Sequence, residues 1–145
     1  MTKTADKIEV MITSALDNLE LIQALTNSVT AFMKFDEDSA HWAGMAVREA
    51  VTNAIQHGNK LDPGKKVEVC YEMTPERLAI AVRDQGSGFE AEKIPNPLEG
   101  DNLLKPSGRG IFYMRTFMDE LDFRTLATGG TEVYMVKMLN ATDSN

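Results

Sequence analysis

Hydrophobic and polar positions change period several times along this chain, and each change marks an element. Ile8, Val10 and Ile12 alternate with Glu9 and Met11, a period of two that predicts an edge strand. Asp17, with Glu20 three residues later, has the spacing of a helix cap, and the helix that follows carries Leu19, Ile22, Val29 and Met33 on one face. Asp36 predicts the cap of a second helix running to about His57, with Gly58 as its left-handed stop. Pro63-Gly64 marks a turn. Val67, Val69, Tyr71 and Met73, then Leu78, Ile80 and Val82, lie either side of Thr74-Pro75-Glu76-Arg77 and predict a hairpin. Spacings of three and four return at Ile111, Met114, Met118 and Leu121, a third helix. Strands over 122–127 and 131–139 flank the turn Gly129-Gly130. The order β-α-α-β-β-loop-α-β-β predicts an α+β two-layer sandwich, an antiparallel-rich mixed sheet covered on one face by three helices. It reads as a single domain over 1–145 with an ordered core of about 7–139.

Composition narrows the function. A chain of 145 residues suffices for one domain that buries roughly 68–70% of its unfolded surface without staples. With 15 Lys and Arg against 22 Asp and Glu, the net charge is −7. That balance argues against a nucleic-acid or anionic-membrane partner. Cys70 is the single cysteine and His41 and His57 are the two histidines, which rules out an intrachain disulfide and a thiolate zinc cage. Residues 1–7 lack the apolar core of a leader, and the longest apolar run, 78–82, is far too short to span a bilayer, so a cytoplasmic location is expected. Five of the 10 glycines and three of the 5 prolines fall between 86 and 110. A long irregular segment of that kind inside a small domain is usually functional.

Three constellations carry candidate chemistry. On the second helix Glu49, Asn53 and His57 share a face at intervals of four. Ala46, Ala50 and Ala54 beside them are small enough to admit a ligand, while Val47, Val51 and Ile55 form a separate stripe suited to a core. An exposed polar stripe accounts for the same residues; so does a site in which the Asn53 carbonyl ligates Mg²⁺ and Glu49 accepts a proton. Asp84-Gln85-Gly86-Ser87-Gly88-Phe89 ends a strand, where the aspartate can accept from an exocyclic amine such as that of adenine. A turn capped by an aspartate accounts for it equally well. Ser107-Gly108-Arg109-Gly110 opens the third helix, whose free N–H groups and dipole attract phosphate. Neither a Walker loop nor a dinucleotide fingerprint is present.

Taken together, these residues resemble a known family. The run Glu49-Ala-Val-Thr-Asn53-Ala-Ile-Gln-His57-Gly58 is similar to the N box of the gyrase/Hsp90/histidine-kinase/MutL ATPases. Asp84 to Phe89 resembles the first glycine box, Gly108-Arg109-Gly110 the second, and Gly130-Thr131-Glu132-Val133 the final strand, where a hydroxyl lies near the nucleotide. Within that superfamily the chain is most similar to the anti-sigma-factor serine/threonine-protein kinases of bacterial partner-switching systems, with 108–121 especially typical. The resemblance implies ATP and Mg²⁺ as cofactors, with Asn53 on the metal, Glu49 as general base and Asp84 reading the adenine amine. It implies that Gly86 and Gly88 shape the base pocket, and that Gly108 and Gly110 bring amides to the phosphates. Ser107, Arg109, His57 and the Thr131 hydroxyl are further nucleotide contacts on the same ground, and 90–107 is the ATP lid.

The partners so implied are an anti-anti-sigma protein as phosphorylation substrate and a sigma factor held inactive. Homodimers are common in the family, although neither a heptad nor an isolated apolar patch in this sequence points to one. A nucleotide-dependent binding module and a simple ATPase are the alternatives. A sensor histidine kinase is disfavoured, because His41-Trp42 lacks the surroundings of a phosphoacceptor and no dimerisation helix precedes it.

Overall fold

The structure, a computed structural model, describes residues 6–86 and 106–139. Five strands, β1 (Asp6–Thr13), β2 (Lys66–Met73), β3 (Arg77–Arg83), β4 (Glu120–Thr125) and β5 (Thr131–Met138), form one sheet in the order β1-β2-β3-β5-β4. Every pairing among the described residues is antiparallel, so the expected sandwich holds but the expected mixed character does not. Consecutive strands are joined as hairpins wherever no helix intervenes, and β5 returns between β3 and β4. One face is covered by α1 (Leu19–Phe32), α2 (Glu37–Asn53) and α3 (Pro106–Phe117). β1 is an edge strand, as its alternation predicts.

Helix ends depart from the sequence reading for local reasons. Asp17 does not cap α1: it sits in a 3₁₀ turn, Leu16–Asn18, closed by Asn18 N donating to Ala15 O at 3.0 Å. Asn18 takes the cap position without a capping bond, because its side chain is turned back to donate to Thr13 O at 2.9 Å. Asp36 does cap α2, accepting from Ser39 N at 2.6 Å. The third helix stops at Phe117 rather than reaching Leu121. Met118 N still bonds to Met114 O, but Asp119 N already bonds to Val136 O, and Leu121 lies in β4 opposite Met135. Lys137 Nζ closes that end by donating to Phe117 O at 3.0 Å, a cation on orphan helix carbonyls.

The core lies between sheet and helices. Val47, Val51 and Ile55 of α2 are enclosed with Val67, Val69, Tyr71, Leu78, Ile80, Val82 and Met135 of the sheet and Met114 of α3. Each such aliphatic side chain contributes about 1.5–3 kcal/mol on burial. Ala46, Ala50 and Ala54 are buried as well, beside the contacts that α2 makes with both α1 and α3. One polar link crosses the layers: Tyr71 Oη lies 2.7 Å from Thr26 Oγ1, which itself donates to Ile22 O at 2.8 Å, so the tyrosine is the donor. Burial pushes the Tyr71 phenol up to about 12.

Candidate functional site

The site is built at the end of the sheet where β3 and β5 run out beside the C-terminus of α2. Arg83 and Glu132 face each other across those strands, with Arg83 Nε donating to Glu132 at 2.6 Å. Arg83 also pairs with Glu68 of β2, and Arg124 of β4 reaches Glu132 at 3.4 Å. This row of alternating charge fixes four strands in register one residue before Asp84 and one residue after Thr131. Asp84 N donates to Thr131 O at 3.0 Å, and Thr131 N returns a bond to Asp84 Oδ1 at 3.1 Å. Gly86 N adds a second donor to Oδ1 at 2.9 Å. The buried carboxylate is thereby held by one oxygen, and no described residue donates to Oδ2.

Thr131 is only 2% exposed, and its Oγ1 is the one buried side-chain polar atom without a partner among the described residues. An orphaned hydroxyl costs roughly 1–3 kcal/mol, so its retention calls for an explanation. Its backbone is bonded to Asp84, so the orphan hydroxyl and the open carboxylate oxygen belong to one corner.

Backbone, not side chain, closes that corner. A Cβ on Gly58 would fall 2.2 Å from Asp84 Oδ2, one on Gly86 2.0 Å from Gly58 O, and one on Gly130 2.1 Å from Asp84 O. The sequence assigned Gly58 a different task. Gly58 is not left-handed; the stop is made by Lys60 and Leu61, at φ 53° and 60°. The last turn, Ala54–Gly58, is a π-helix in which Asn59 N bonds back to Ala54 O at 2.8 Å. What Gly58 supplies is room for α2 to end against Asp84, a close approach that spacing along the chain does not reveal.

The other expected residues are only partly gathered. Glu49 and Asn53 are half-buried and one turn apart on α2, and no described residue bonds the Asn53 side chain. His57 is exposed, and the wider π turn between Asn53 and Gly58 carries it off the row that four-residue spacing predicts. Gly110 is buried against Glu49, with a Cβ there 2.6 Å from Oε2, so α3 lies close along the carboxylate. Trp42 stacked on Phe117, ring centres 4.3 Å apart, holds the far end of α3 to α2. Ser107, Gly108 and Arg109 occupy the first turn of α3, where N–H groups lack intrahelical partners. Gly88 lies outside the described residues, as does the expected lid except for Pro106 and Ser107, which belong to α3.

The donor set fits an adenine nucleotide. Oδ2 of Asp84 is an acceptor for an amine, Thr131 Oγ1 can donate or accept, and α3 presents a helix N-terminus for phosphate. The amide of Asn53 is an oxygen ligand of the kind Mg²⁺ takes when phosphates and water complete its shell.

The chain is similar to known proteins over nearly its whole length. Residues 12–137 match the histidine kinase-like ATPase domain. The chain is 32% identical over 146 residues to the serine-protein kinase RsbW of Bacillus licheniformis, covering 97% of this chain and 90% of that protein. It is 30% identical, with the same coverage, to the enzyme of that name from Bacillus subtilis. Among solved structures, the RsbU and RsbW domains of a Mycobacterium tuberculosis protein superpose with a TM-score of 0.66 at 14% identity, over 92% of this chain and 32% of that one. No helix among the described residues is long and apolar enough to cross a membrane. An all-antiparallel sheet with Asp84 and Thr131 joined at its end, and a match over nearly the whole length, lead to one conclusion: the chain belongs to the histidine kinase-like ATPase family and, within it, to the serine-protein kinases of the RsbW type.

Proposed function

We propose that this protein transfers the γ-phosphoryl group of ATP to a serine or threonine of an anti-anti-sigma protein, and that it holds a sigma factor inactive when that partner is phosphorylated. The observation that carries the reading is the Asp84–Thr131 corner, an open acceptor oxygen beside an orphaned hydroxyl, in a chain of this kinase family. Bound Mg-ATP supplies the phosphoryl group and metal charge. Asp84 Oδ2 accepts the adenine amine, and the Thr131 hydroxyl gains the partner it otherwise lacks. Asn53 holds the metal through its amide oxygen. The first turn of α3, Ser107 to Arg109, binds phosphate oxygens with free N–H groups.

Glu49 takes the proton of the attacking serine hydroxyl as its oxygen bonds to the γ-phosphorus and the bridging P–O bond to ADP breaks. Gly110 permits α3 to approach that carboxylate so that phosphate and base share one space.

The test mixes purified protein, labelled ATP and Mg²⁺ with a candidate anti-anti-sigma protein, followed by mapping of the label. The expected outcome is stoichiometric transfer to one serine or threonine. Nucleotide-dependent complex formation without transfer would make the protein a binding module, and phosphate release with no labelled partner would make it an ATPase.

A further inference from the structure

Asn59 follows the π turn at the end of α2 and is fully enclosed. A buried amide is costly unless satisfied, and this one is satisfied on both ends. Its Nδ2 donates to Ser14 Oγ at 2.6 Å and to Lys66 O at 2.9 Å, and its Oδ1 accepts from Gln85 N at 2.7 Å. Gln85 completes a ring, since its own Oε1 accepts from Lys66 N at 2.7 Å. Asn59 is therefore bonded to Lys66, Lys66 to Gln85, and Gln85 back to Asn59. The ring ties together the end of α2, the first residue of β2 and the segment that leaves β3.

Gln85 lies between Asp84 and Gly86. Its peptide N–H is gripped by Asn59, while Gly86 N grips Asp84 Oδ1. Gly86 also rests on Gly58, whose position against Asp84 leaves no room for a Cβ. The direction in which Asp84 Oδ2 points thus depends on the path of residues 84–86, and that path is anchored from outside by Asn59. No sequence motif marks it: an asparagine after His57-Gly58 reads as an ordinary polar residue of a helix-ending turn.

We propose that Asn59 is a positioning residue for base recognition, acting through Gln85 to hold Asp84 so that the site distinguishes a 6-amino purine from a 6-oxo purine. The inference rests on the reading of Asp84 as the adenine contact. A buried asparagine that merely stabilised the junction would lower the melting temperature and weaken all nucleotides alike. A positioning residue changes the ratio between two bases.

The experiment measures equilibrium binding of ATP and inosine triphosphate, which carries an oxygen in place of the amine, to the wild-type chain, Asn59→Ala and Gln85→Leu. Each is assayed at a temperature where circular dichroism shows it folded. The wild type is expected to prefer ATP by about 100-fold or more, the scale set by a buried group left unpaired against the wrong base. Asn59→Ala is expected to cut that preference about tenfold, chiefly through weaker ATP binding. Gln85→Leu, which opens the ring at an exposed side chain, is expected to cut it about threefold. If Asn59→Ala does not fold, Gln85→Leu decides. A wild type that prefers ATP, with variants that keep the same ratio and lose only thermal stability, would overturn the positioning role. A wild type indifferent to the base would overturn the Asp84 reading itself, and this inference with it.

Discussion

Thr131→Val is expected to make the nucleotide-free protein more stable and its ATP binding weaker. Valine has nearly the shape of threonine and favours strands equally, so β5 keeps its packing. The backbone N–H of residue 131 keeps its bond to Asp84 Oδ1. What changes is Oγ1, which is buried and without a partner among the described residues. Replacing a buried hydroxyl that has no partner with a methyl removes a desolvation penalty of roughly 1–3 kcal/mol. Only part of that is recovered, so about 1–2 kcal/mol of stabilisation is expected. At about 2–4 °C per kcal/mol for a chain near this size, the melting temperature rises by several degrees. If the hydroxyl is held unpaired for a nucleotide, ATP affinity falls about tenfold, equivalent to about 1.4 kcal/mol.

Scanning calorimetry without nucleotide and titration calorimetry with ATP read the two effects separately. Thr131→Ser serves as the control: it keeps the hydroxyl and ATP binding but loses a packed methyl, with a drop of about 1 kcal/mol in stability. A Thr131→Val protein that melts lower and binds ATP as the wild type does would refute the reasoning.

Asn53→Ala is expected to abolish most of the enhancement that Mg²⁺ gives to ATP binding while leaving metal-free nucleotide binding nearly unchanged, as read by titration with and without chelator. Gly58→Ala places a Cβ 2.2 Å from Asp84 Oδ2, so it should weaken ATP binding by at least about tenfold and lower the melting temperature, whereas a new left-handed stop would show only the latter. Stability should also fall in alkali. Below pH 10.0 the Tyr71 phenol is protonated whether the chain is folded or not; between there and about 12 only the unfolded chain releases the proton, so stability is lost as pH rises, by about 2–3 kcal/mol in all. Denaturant titrations at pH 9 and pH 11.5 should show that loss in the wild type and a smaller one in Tyr71→Phe.

Much of this fold was legible along the chain because one face of each element is buried. Val67, Val69 and Tyr71 alternate into the core, and so do Leu78, Ile80 and Val82, and a period of two admits only one register against a helix layer. Asp36 was legible as a cap because its bond to Ser39 N is made three residues away. What escaped was set by contacts distant in sequence. Asp17 lost the cap to Asn18 because a tight turn from β1 arrives first. Gly58 read as a helix stop because a glycine after a helix usually is one. Its actual constraint is Asp84, 26 residues further on, brought there by the hairpin of β2 and β3. The Asp84–Thr131 corner could be named from motif resemblance, but its open acceptor and orphaned hydroxyl could not.

In the proposed function Glu49 is the base of a phosphoryl transfer whose nucleotide is held elsewhere, by Asp84 and Thr131. Its most direct test is single-turnover transfer from labelled ATP to the protein partner by Glu49→Gln, with ATP affinity measured on the same sample. Glutamine matches the carboxylate in shape and retains the contact with Gly110, so ATP affinity within about twofold of wild type is expected. Loss of a positioned base slows transfer by about 10²–10⁴-fold. Transfer at the wild-type rate with ATP bound would remove Glu49 from the role of base.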